Sequence, residues 1–398
     1  MSLTPFLNEM PNFPKTGGIV TPLKCMKTAA DLLSRLVWLP VLAHTCLAGG
    51  FSSMYVFGDS LSAVTGGGTQ YPPPAGTSVD NYFSGRFSNG RVWVEYLADL
   101  QGVSFRSNND YSNFGDDSGE VSENIIYGNY YRPPDIATSL YVFWSGSSDC
   151  FLMAGKNDTN SWMTDIHTAT DSIAATVDLL YRQGVRTLVL PNSVDISKVP
   201  FFSYTFATLV PDPSLVAPLI AHIHRQVPLF NAALAATISQ LSAKYPALKL
   251  YAPDFYSQFD FLYDHPATYG VTRTDLDALE DSALTDKSFN GPGADYLFWD
   301  YLHPTTRVHA AVASFVQQIV SPLQISRLTT TNTNTTVQFE LVNLPIGRTG
   351  FLESSTNLFN STGWSVRAKI VVTQATQTFV LPTLGLGEEI YFRLNFPR

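Results

Sequence analysis

Two short motifs far apart in the chain hold the residue types for one kind of chemistry. Residues 58–61 read Gly-Asp-Ser-Leu and follow an apolar run, and residues 300–303 read Asp-Tyr-Leu-His. A serine hydroxyl is a poor nucleophile unless an imidazole accepts its proton, and the imidazole needs a carboxylate to fix its tautomer. Ser60, His303 and Asp300 supply these three groups, so the motifs predict nucleophilic catalysis by a serine.

Apolar runs of strand length alternate with longer amphipathic stretches between residues 53 and 320. The predicted strands lie at 54–57, 140–144, 187–190 and 248–251, and the predicted helices at 92–100, 164–183, 214–244 and 306–319. This alternation is typical of a parallel sheet covered by helices on both faces, and loops after the strands carry chemistry in such folds. The serine motif directly follows the first predicted strand.

The composition changes abruptly after Pro322. A tract rich in Thr and Asn leads into residues 337–398, which alternate apolar and polar residues between turn signals. We therefore predict a hydrolytic domain at 49–322, a linker at 323–336 and a small all-β sandwich at 337–398. The last of these contains no His or Cys, so catalysis is expected to reside in the first.

The first 48 residues have the pattern of a leader. A plausible start at Met26 is followed by basic residues and by an apolar stretch at 36–43 that is too short to span a bilayer. We predict signal-peptide cleavage after Ala48, export to the periplasm or the extracellular space, and no stable insertion into the membrane. The alternative, a buried N-terminal helix, is disfavoured by Pro40. Cleavage would leave Cys150 as the one cysteine, without an intramolecular disulfide.

Composition excludes several classes of function. The 398-residue chain is 45% hydrophobic and only 14% charged, which suits one large core and a smaller module. Its net charge of −9, without any Lys/Arg-rich run, removes the electrostatic attraction on which nucleic-acid binding depends. No Cys/His zinc spacing, phosphate-binding glycine loop or dinucleotide fingerprint is present, so neither a metal nor an organic cofactor is expected.

The sequence around the two motifs resembles a known family. Residues 55–61, 85–95 and 300–304 together closely resemble the GDSL branch of the SGNH esterase/lipase family, and the resemblance covers residues 53 to about 320. It implies a three-layer α/β/α, flavodoxin-like domain in which Ser60 is the nucleophile, with His303 and Asp300 as the other triad members. It also implies a secreted carboxylic-ester hydrolase that forms an acyl-enzyme and acts on acyl or aryl esters, among them lipids and acylated sugars.

The same resemblance assigns an oxyanion hole. The family builds it from the serine amide, a glycine amide and an asparagine side chain. Here the amides would belong to Ser60 and Gly115, with Gly119 as an alternative to the latter. Ser148 stands where the family has asparagine, in residues 146–149, Gly-Ser-Ser-Asp. A hydroxyl is shorter than a carboxamide, so a weakened oxyanion hole is expected, with Asn113 as an alternative donor.

Two alternatives to simple hydrolysis stay open. The same triad could transfer the acyl group to an alcohol other than water, or deacylate a phospholipid. Ser148 also leaves open a catalytically impaired protein that binds a surface or a polysaccharide through its β module, which resembles small modules appended to secreted bacterial proteins. Product analysis with an added acceptor and labelling by a fluorophosphonate would distinguish these readings.

Overall fold

The computed structural model describes residues 20–24, 51–66, 81–127, 133–154, 156, 159–205, 207, 212–321, 324–330, 336–344, 349–355, 364–374, 376–382 and 389–395. They divide into two compact units. The larger is Gly50–Ser321, and the smaller joins strand β1 (Val20–Lys24) to the strands that follow Pro322.

A parallel sheet of buried strands lies at the centre of the larger unit. Its strands are β2 (Met54–Gly58), β3 (Leu140–Trp144), β4 (Thr187–Val189) and β5 (Lys249–Tyr251), hydrogen-bonded in that order. Every residue of β2, β3 and β4 is buried, as expected of strands covered on both faces. The four predicted strands are confirmed, each within one residue at either end.

Helices cover this sheet. They are α1 (Trp93–Leu100), α2 (Ser118–Tyr127), α3 (Ser147–Ala154), α4 (Thr159–Gln183), α5 (Val216–Lys244), α6 (Phe255–Asp264) and α7 (Thr306–Val320). Four of them confirm the predicted helices, and α5 continues through Pro228. Helices α2, α3 and α6, of 8 to 10 residues, were not predicted.

Alternate side chains of the central strands enter two separate apolar clusters. Phe57 and Phe143 pack in one cluster with residues of α2, α3, α4 and α5. Val56 and Val142 pack in the other, chiefly with residues of α1 and α7. Since neighbouring strand residues point to opposite faces of a sheet, the two clusters are two helical layers around one sheet. The predicted three-layer α/β/α fold is confirmed.

Antiparallel strands form the smaller unit. After β1 they are β6 (Gln324–Thr330), β7 (Thr336–Val342), β8 (Thr349–Ser355), β9 (Ser365–Val371), β10 (Gln377–Pro382) and β11 (Glu389–Asn395). One sheet has the order β1–β11–β8–β9 and the other β10–β7–β6. Phe339 and Phe392 contribute to one apolar cluster, with ring centroids 4.7 Å apart. The predicted all-β module is confirmed.

The predicted linker at 323–336 is corrected by strand β6. Gln324–Thr330 pairs antiparallel with β7, and the register shifts between Ile325 and Arg327, as at a β-bulge. A bulge inserts an extra residue into the pairing, so the apolar residues of such a strand lose their two-residue period. That loss explains why the segment looked like a linker.

The predicted leader contains strand β1. Val20–Lys24 pairs antiparallel with Glu389–Asn395 at the edge of its sheet. Cleavage after Ala48 would remove β1 and leave β11 as the edge strand. The cleavage itself stays a prediction.

Candidate active site

β2 and β3 end side by side at the edge of the sheet where the serine motif lies. Gly58 pairs with Trp144 at the last position of the ladder. A Cβ atom at Gly58 would lie 2.3 Å from the Trp144 carbonyl oxygen, so the close approach of the strands requires glycine. The chain turns after Gly58 and places Ser60 at the carboxyl end of the strand, where open α/β sheets bind ligands.

Side chains from the two distant motifs meet at this edge. The Ser60 Oγ lies 2.8 Å from Nε2 of His303, and Nδ1 of the same imidazole lies 2.9 and 2.8 Å from Oδ1 and Oδ2 of Asp300. All three residues are buried, and Asp300 is completely so. The serine proton can therefore pass to an imidazole that is held by a carboxylate, which is the geometry of nucleophilic catalysis.

Hydrogen-bond donors surround the Asp300 carboxylate. The N–H groups of Leu302 and His303 donate to Oδ1 at 2.8 and 2.7 Å, and the Tyr82 hydroxyl donates to Oδ2 at 2.8 Å. Burial raises the pKa of Asp300, but the charge and side-chain hydrogen bond of His303 and the two backbone N–H groups outweigh it and hold the pKa below its ordinary value. An ionised Asp300 keeps the proton on Nδ1, which leaves Nε2 free to accept the serine proton.

Residues 85–95 position the imidazole. The fully buried ring of Phe87 packs on His303, with ring centroids 4.9 Å apart. Asn89 Oδ1 accepts a hydrogen bond from the N–H of Thr306 at 2.8 Å and so ties this segment to the start of α7. Residues 85–95 therefore stabilise the loop that carries both His303 and Asp300.

Two unpaired backbone N–H groups border the space beside the serine. Ser60 and Gly115 both line a cavity there, and no described residue accepts a hydrogen bond from the N–H of either. Gly115 has φ of +77°, which residues with a Cβ rarely adopt. Gly119 lies inside α2 and does not line this cavity, and the Asn113 carboxamide donates to Asp116 at 3.1 Å. Gly115 therefore lines the cavity beside Ser60, whereas Gly119 does not.

Ser148 lines the same cavity, but its hydroxyl has another partner. The Ser148 Oγ donates to Oδ2 of Asp59 at 3.3 Å, while Oδ1 of Asp59 accepts the N–H of Leu61 at 2.9 Å. Burial raises the pKa of Asp59 to about 6, and the Leu61 N–H and the charge of His303 oppose that rise. Above this pH the ionised carboxylate takes the single hydroxyl proton of Ser148. The predicted oxyanion role of Ser148 therefore competes with Asp59.

This competition predicts the behaviour of two variants at position 148. At about pH 8, we expect Ser148→Ala to lower kcat on a short ester by less than the roughly 10²–10³-fold that loss of an oxyanion donor costs. Ser148→Asn should raise kcat, because a carboxamide is longer and carries two N–H donors. Steady-state kinetics of the two variants test this. A loss of 10²-fold or more in Ser148→Ala would show that the hydroxyl turns to the oxyanion during the reaction.

An apolar cavity of about 370 Å³ opens beside Ser60. Helix α6 contributes Phe255, Gln258, Phe259 and Leu262, α7 contributes Val308 and Val312, and the segment after β4 contributes Val194, Ile196 and Val199. The spacing of three or four residues presents one face of each helix to the cavity. Gln258 is the polar exception on α6, and its amide donates to the Tyr269 hydroxyl at 2.9 Å. The cavity suits an aliphatic or aromatic group attached to the reacting carbonyl.

Some features of the site were not predicted. Tyr82 has no motif around it, and the cavity is assembled from segments far apart in the sequence. Within the part of the chain that the structure describes, His, Cys, Asp and Glu side chains form no cluster suited to a metal ion.

Known proteins resemble this chain over the region that holds the site. The family described as GDSL-like Lipase/Acylhydrolase matches residues 54–316. Phosphatidylcholine-sterol acyltransferase of Aeromonas hydrophila is 23% identical over 325 residues, which cover 66% of this chain and 88% of that protein. A GDSL esterase/lipase of Arabidopsis thaliana is 22% identical over 344 residues, which cover 71% and 91%. An acetylxylan esterase structure from Geobacillus stearothermophilus has a TM-score of 0.37 and 13% identity, covering 69% of this chain and 96% of that one.

Proposed function

The chain belongs to the GDSL-like lipase/acylhydrolase family and is a carboxylic-ester hydrolase, and from that premise we propose that it acts through a Ser60–His303–Asp300 triad on esters with an apolar acyl group. The observation that carries the proposal is the unbroken hydrogen-bond chain from Oγ of Ser60 to Asp300, next to an apolar cavity. An intact chain of this kind also favours catalysis over a binding protein with an impaired site.

In the first half of the proposed reaction, Oγ of Ser60 attacks the ester carbonyl while Nε2 of His303 takes its proton. Negative charge develops on the carbonyl oxygen, and the N–H groups of Ser60 and Gly115 stabilise it. Asp300 stabilises the imidazolium through Nδ1. The imidazolium then protonates the leaving alcohol, which departs and leaves the acyl group on Ser60.

The second half of the reaction repeats these steps with water. Nε2 of His303 removes a proton from the water molecule, which attacks the acyl carbonyl. The same amides stabilise the second oxyanion, and the imidazolium returns its proton to Oγ of Ser60 as the carboxylic acid forms. The enzyme is then ready for another ester.

The cavity predicts a preference for longer acyl chains. Each buried methylene group contributes about 0.8 kcal/mol, equivalent to roughly a fourfold gain in kcat/KM where the contact is made in the transition state. We expect kcat/KM to rise from acetyl through butanoyl to octanoyl esters of one phenol, until the chain fills the cavity. A purified-protein assay on this series measures it. Highest activity on the acetyl ester would contradict the assignment of the cavity to the acyl group.

A pair of α7 variants sharpens this test. Val312→Phe adds a ring to the cavity wall and should depress kcat/KM for the octanoyl ester far more than for the acetyl ester. Gln318→Phe adds the same ring on the exposed side of the helix and should leave both values near those of the parent. Equal effects of Val312→Phe on both esters would place the acyl chain elsewhere.

Acyl transfer is the second candidate, because one relative carries the name phosphatidylcholine-sterol acyltransferase. In a reaction with an added sterol, acyl transfer would yield a sterol ester, whereas hydrolysis would yield the free acid.

We also propose that the protein is exported, on the strength of the leader pattern at residues 26–48. None of the helices in the described ranges has the length and hydrophobicity that a membrane crossing requires. N-terminal sequencing of the protein recovered from outside the cytoplasm tests both export and the cleavage site.

A further inference from the structure

We propose that Tyr82 is a positioning residue for this reaction. Its hydroxyl holds the Asp300 carboxylate in place and, by donating a hydrogen bond, reduces the effective negative charge of that carboxylate at His303. The proposal rests on the Ser60–His303–Asp300 triad proposed above. It concerns a side chain that lies outside the recognised sequence motifs and does not line the acyl cavity.

The two oxygens of Asp300 are held differently. Oδ1 accepts two backbone N–H groups, from Leu302 and His303, which belong to the same turn. Oδ2 faces Nδ1 of the imidazole at 2.8 Å, and within the described residues its other donor is the hydroxyl of Tyr82, from 218 residues earlier in the chain. Oδ1 also lies 2.9 Å from Nδ1, so both oxygens face the imidazole. A buried carboxylate oxygen that loses a partner costs free energy, so Tyr82 affects one of the two oxygens that hold the imidazole.

Packing holds the tyrosine ring in place. Tyr82 is 3% exposed and shares a buried apolar cluster with Ala278, Leu279, Tyr296 and Trp299. The preceding residue is tied as well, because Nε1 of Trp299 donates to its carbonyl at 2.7 Å. The hydroxyl is thus preorganised before substrate binds, as electrostatic stabilisation in an active site requires.

The protonation states of the tyrosine and its acidic neighbour suit this role. Burial and the charge of Asp300 raise the pKa of Tyr82, so the hydroxyl remains a donor across the working pH range. Asp277 is also fully buried, and one of its oxygens accepts the N–H of Glu280 at 2.8 Å. Burial and the charges of Glu280 and Asp300 raise the pKa of Asp277 to about 8, so it is neutral at neutral pH.

Two further titratable groups interact with the imidazole. Burial raises the pKa of Asp59 to about 6 and lowers the pKa of His309 to about 3, so His309 is neutral at every pH of interest. Removal of the Tyr82 hydroxyl leaves both of these groups in place. A change in the acid limb of the pH–rate profile of such a variant would therefore come through Asp300.

The sign of that change follows from the hydrogen bond. A donor on Oδ2 delocalises part of the carboxylate charge. Without the donor, the full charge faces the imidazole and stabilises its imidazolium form. The acid limb of the pH–rate profile then moves to higher pH. The carboxylate also gains freedom to rotate, so the imidazole is oriented less well and kcat falls.

Tyr82→Phe in the full-length protein is the test, with Tyr296→Phe as the matched control. Tyr296 lies in the same apolar cluster and donates to another buried aspartate, Asp281, at 2.8 Å, so it reproduces the loss of a buried Tyr–Asp hydrogen bond away from the triad. We expect Tyr82→Phe to lower kcat about 10-fold, because a hydrogen bond to a charged group contributes about that factor. KM should change less than about twofold. Its acid limb should move up by about half a pH unit. Tyr296→Phe should change none of these.

A double variant adds a second measurement. If Tyr82 acts through Asp300, Tyr82→Phe should cost nothing further in the Asp300→Asn background, where the carboxylate is already gone. Additive losses in that background, an unmoved acid limb, or equal losses in Tyr296→Phe would each overturn the proposal. If Tyr82→Phe does not fold, the parent protein is prepared with 3-fluorotyrosine, whose more acidic hydroxyl donates more strongly. The acid limb of its pH–rate profile should then move to lower pH, and an unmoved limb would overturn the proposal.

Failure of the triad is distinguishable from failure of this inference. A parent protein whose ester hydrolysis does not depend on Ser60 would reject the triad. A parent that depends on Ser60, and a Tyr82→Phe variant that matches it in kcat and pH profile, would reject the positioning role alone.

Discussion

Ser60→Ala should abolish ester hydrolysis and fluorophosphonate labelling without unfolding the protein. The serine Oγ is the nucleophile placed 2.8 Å from the imidazole, and an alanine offers no atom for an acyl-enzyme. Loss of the nucleophile in a comparable triad lowers kcat by roughly 10⁶-fold. The fold should persist, because the change removes one oxygen from a turn and creates no large cavity. The measurements are kcat on a preferred ester, probe labelling, and the melting temperature.

A neighbouring serine provides the control for this result. Ser62 is completely buried and accepts a hydrogen bond from Nε1 of Trp93 at 3.1 Å, two residues beyond the proposed nucleophile. Ser62→Ala should lower the melting temperature through the lost hydrogen bond and keep both labelling and hydrolysis. Retained turnover or labelling in Ser60→Ala, with a normal melting temperature, would remove Ser60 from the mechanism.

The sequence was most informative where one local signal determines structure. β2 and β3 are continuous apolar runs because both of their faces are buried, and such runs are visible without any knowledge of neighbours. The serine motif follows β2 directly, and Asp300 and His303 are three residues apart in one turn, so each half of the triad is local. Their meeting across the fold was predictable because the chemistry requires it.

Features assembled from several segments could not be predicted in the same way. The apolar cavity beside Ser60 is lined by side chains from several elements, and no local sequence signal shows which of them meet. The hydroxyl of Tyr82 reaches Asp300 from the segment before residue 85, which nothing in its local sequence marks. The sequence shows that position 148 is a serine. It does not show the hydrogen bond from Ser148 to Asp59, which depends on the register between β2 and β3.

Asp300→Asn should lower kcat by roughly 10⁴-fold, as the corresponding change does in other triads. The local hydrogen bonds make the reason specific. The N–H groups of Leu302 and His303 both donate to Oδ1, so the carboxamide of asparagine will place its oxygen there. Its NH₂ group then occupies the position of Oδ2, 2.8 Å from Nδ1, and donates to the imidazole. Nδ1 also lies 2.9 Å from the position of Oδ1, but that oxygen already accepts two N–H groups. The contact with the NH₂ group therefore favours the tautomer that carries its proton on Nε2, which can no longer accept the proton of Ser60.

Asp277→Asn is the matched control for this variant. Asp277 is as deeply buried as Asp300, but its pKa is raised to about 8, so at neutral pH it is an uncharged acid and asparagine is a near replica of it. We expect kcat of Asp277→Asn to lie within a few-fold of the parent value. Both variants should have melting temperatures above the assay temperature. Asp300→Asn changes only the charge and the direction of one hydrogen bond. A loss of kcat smaller than tenfold in this variant would mean that His303 adopts its reactive tautomer without a carboxylate. The triad would then reduce to a dyad of Ser60 and His303.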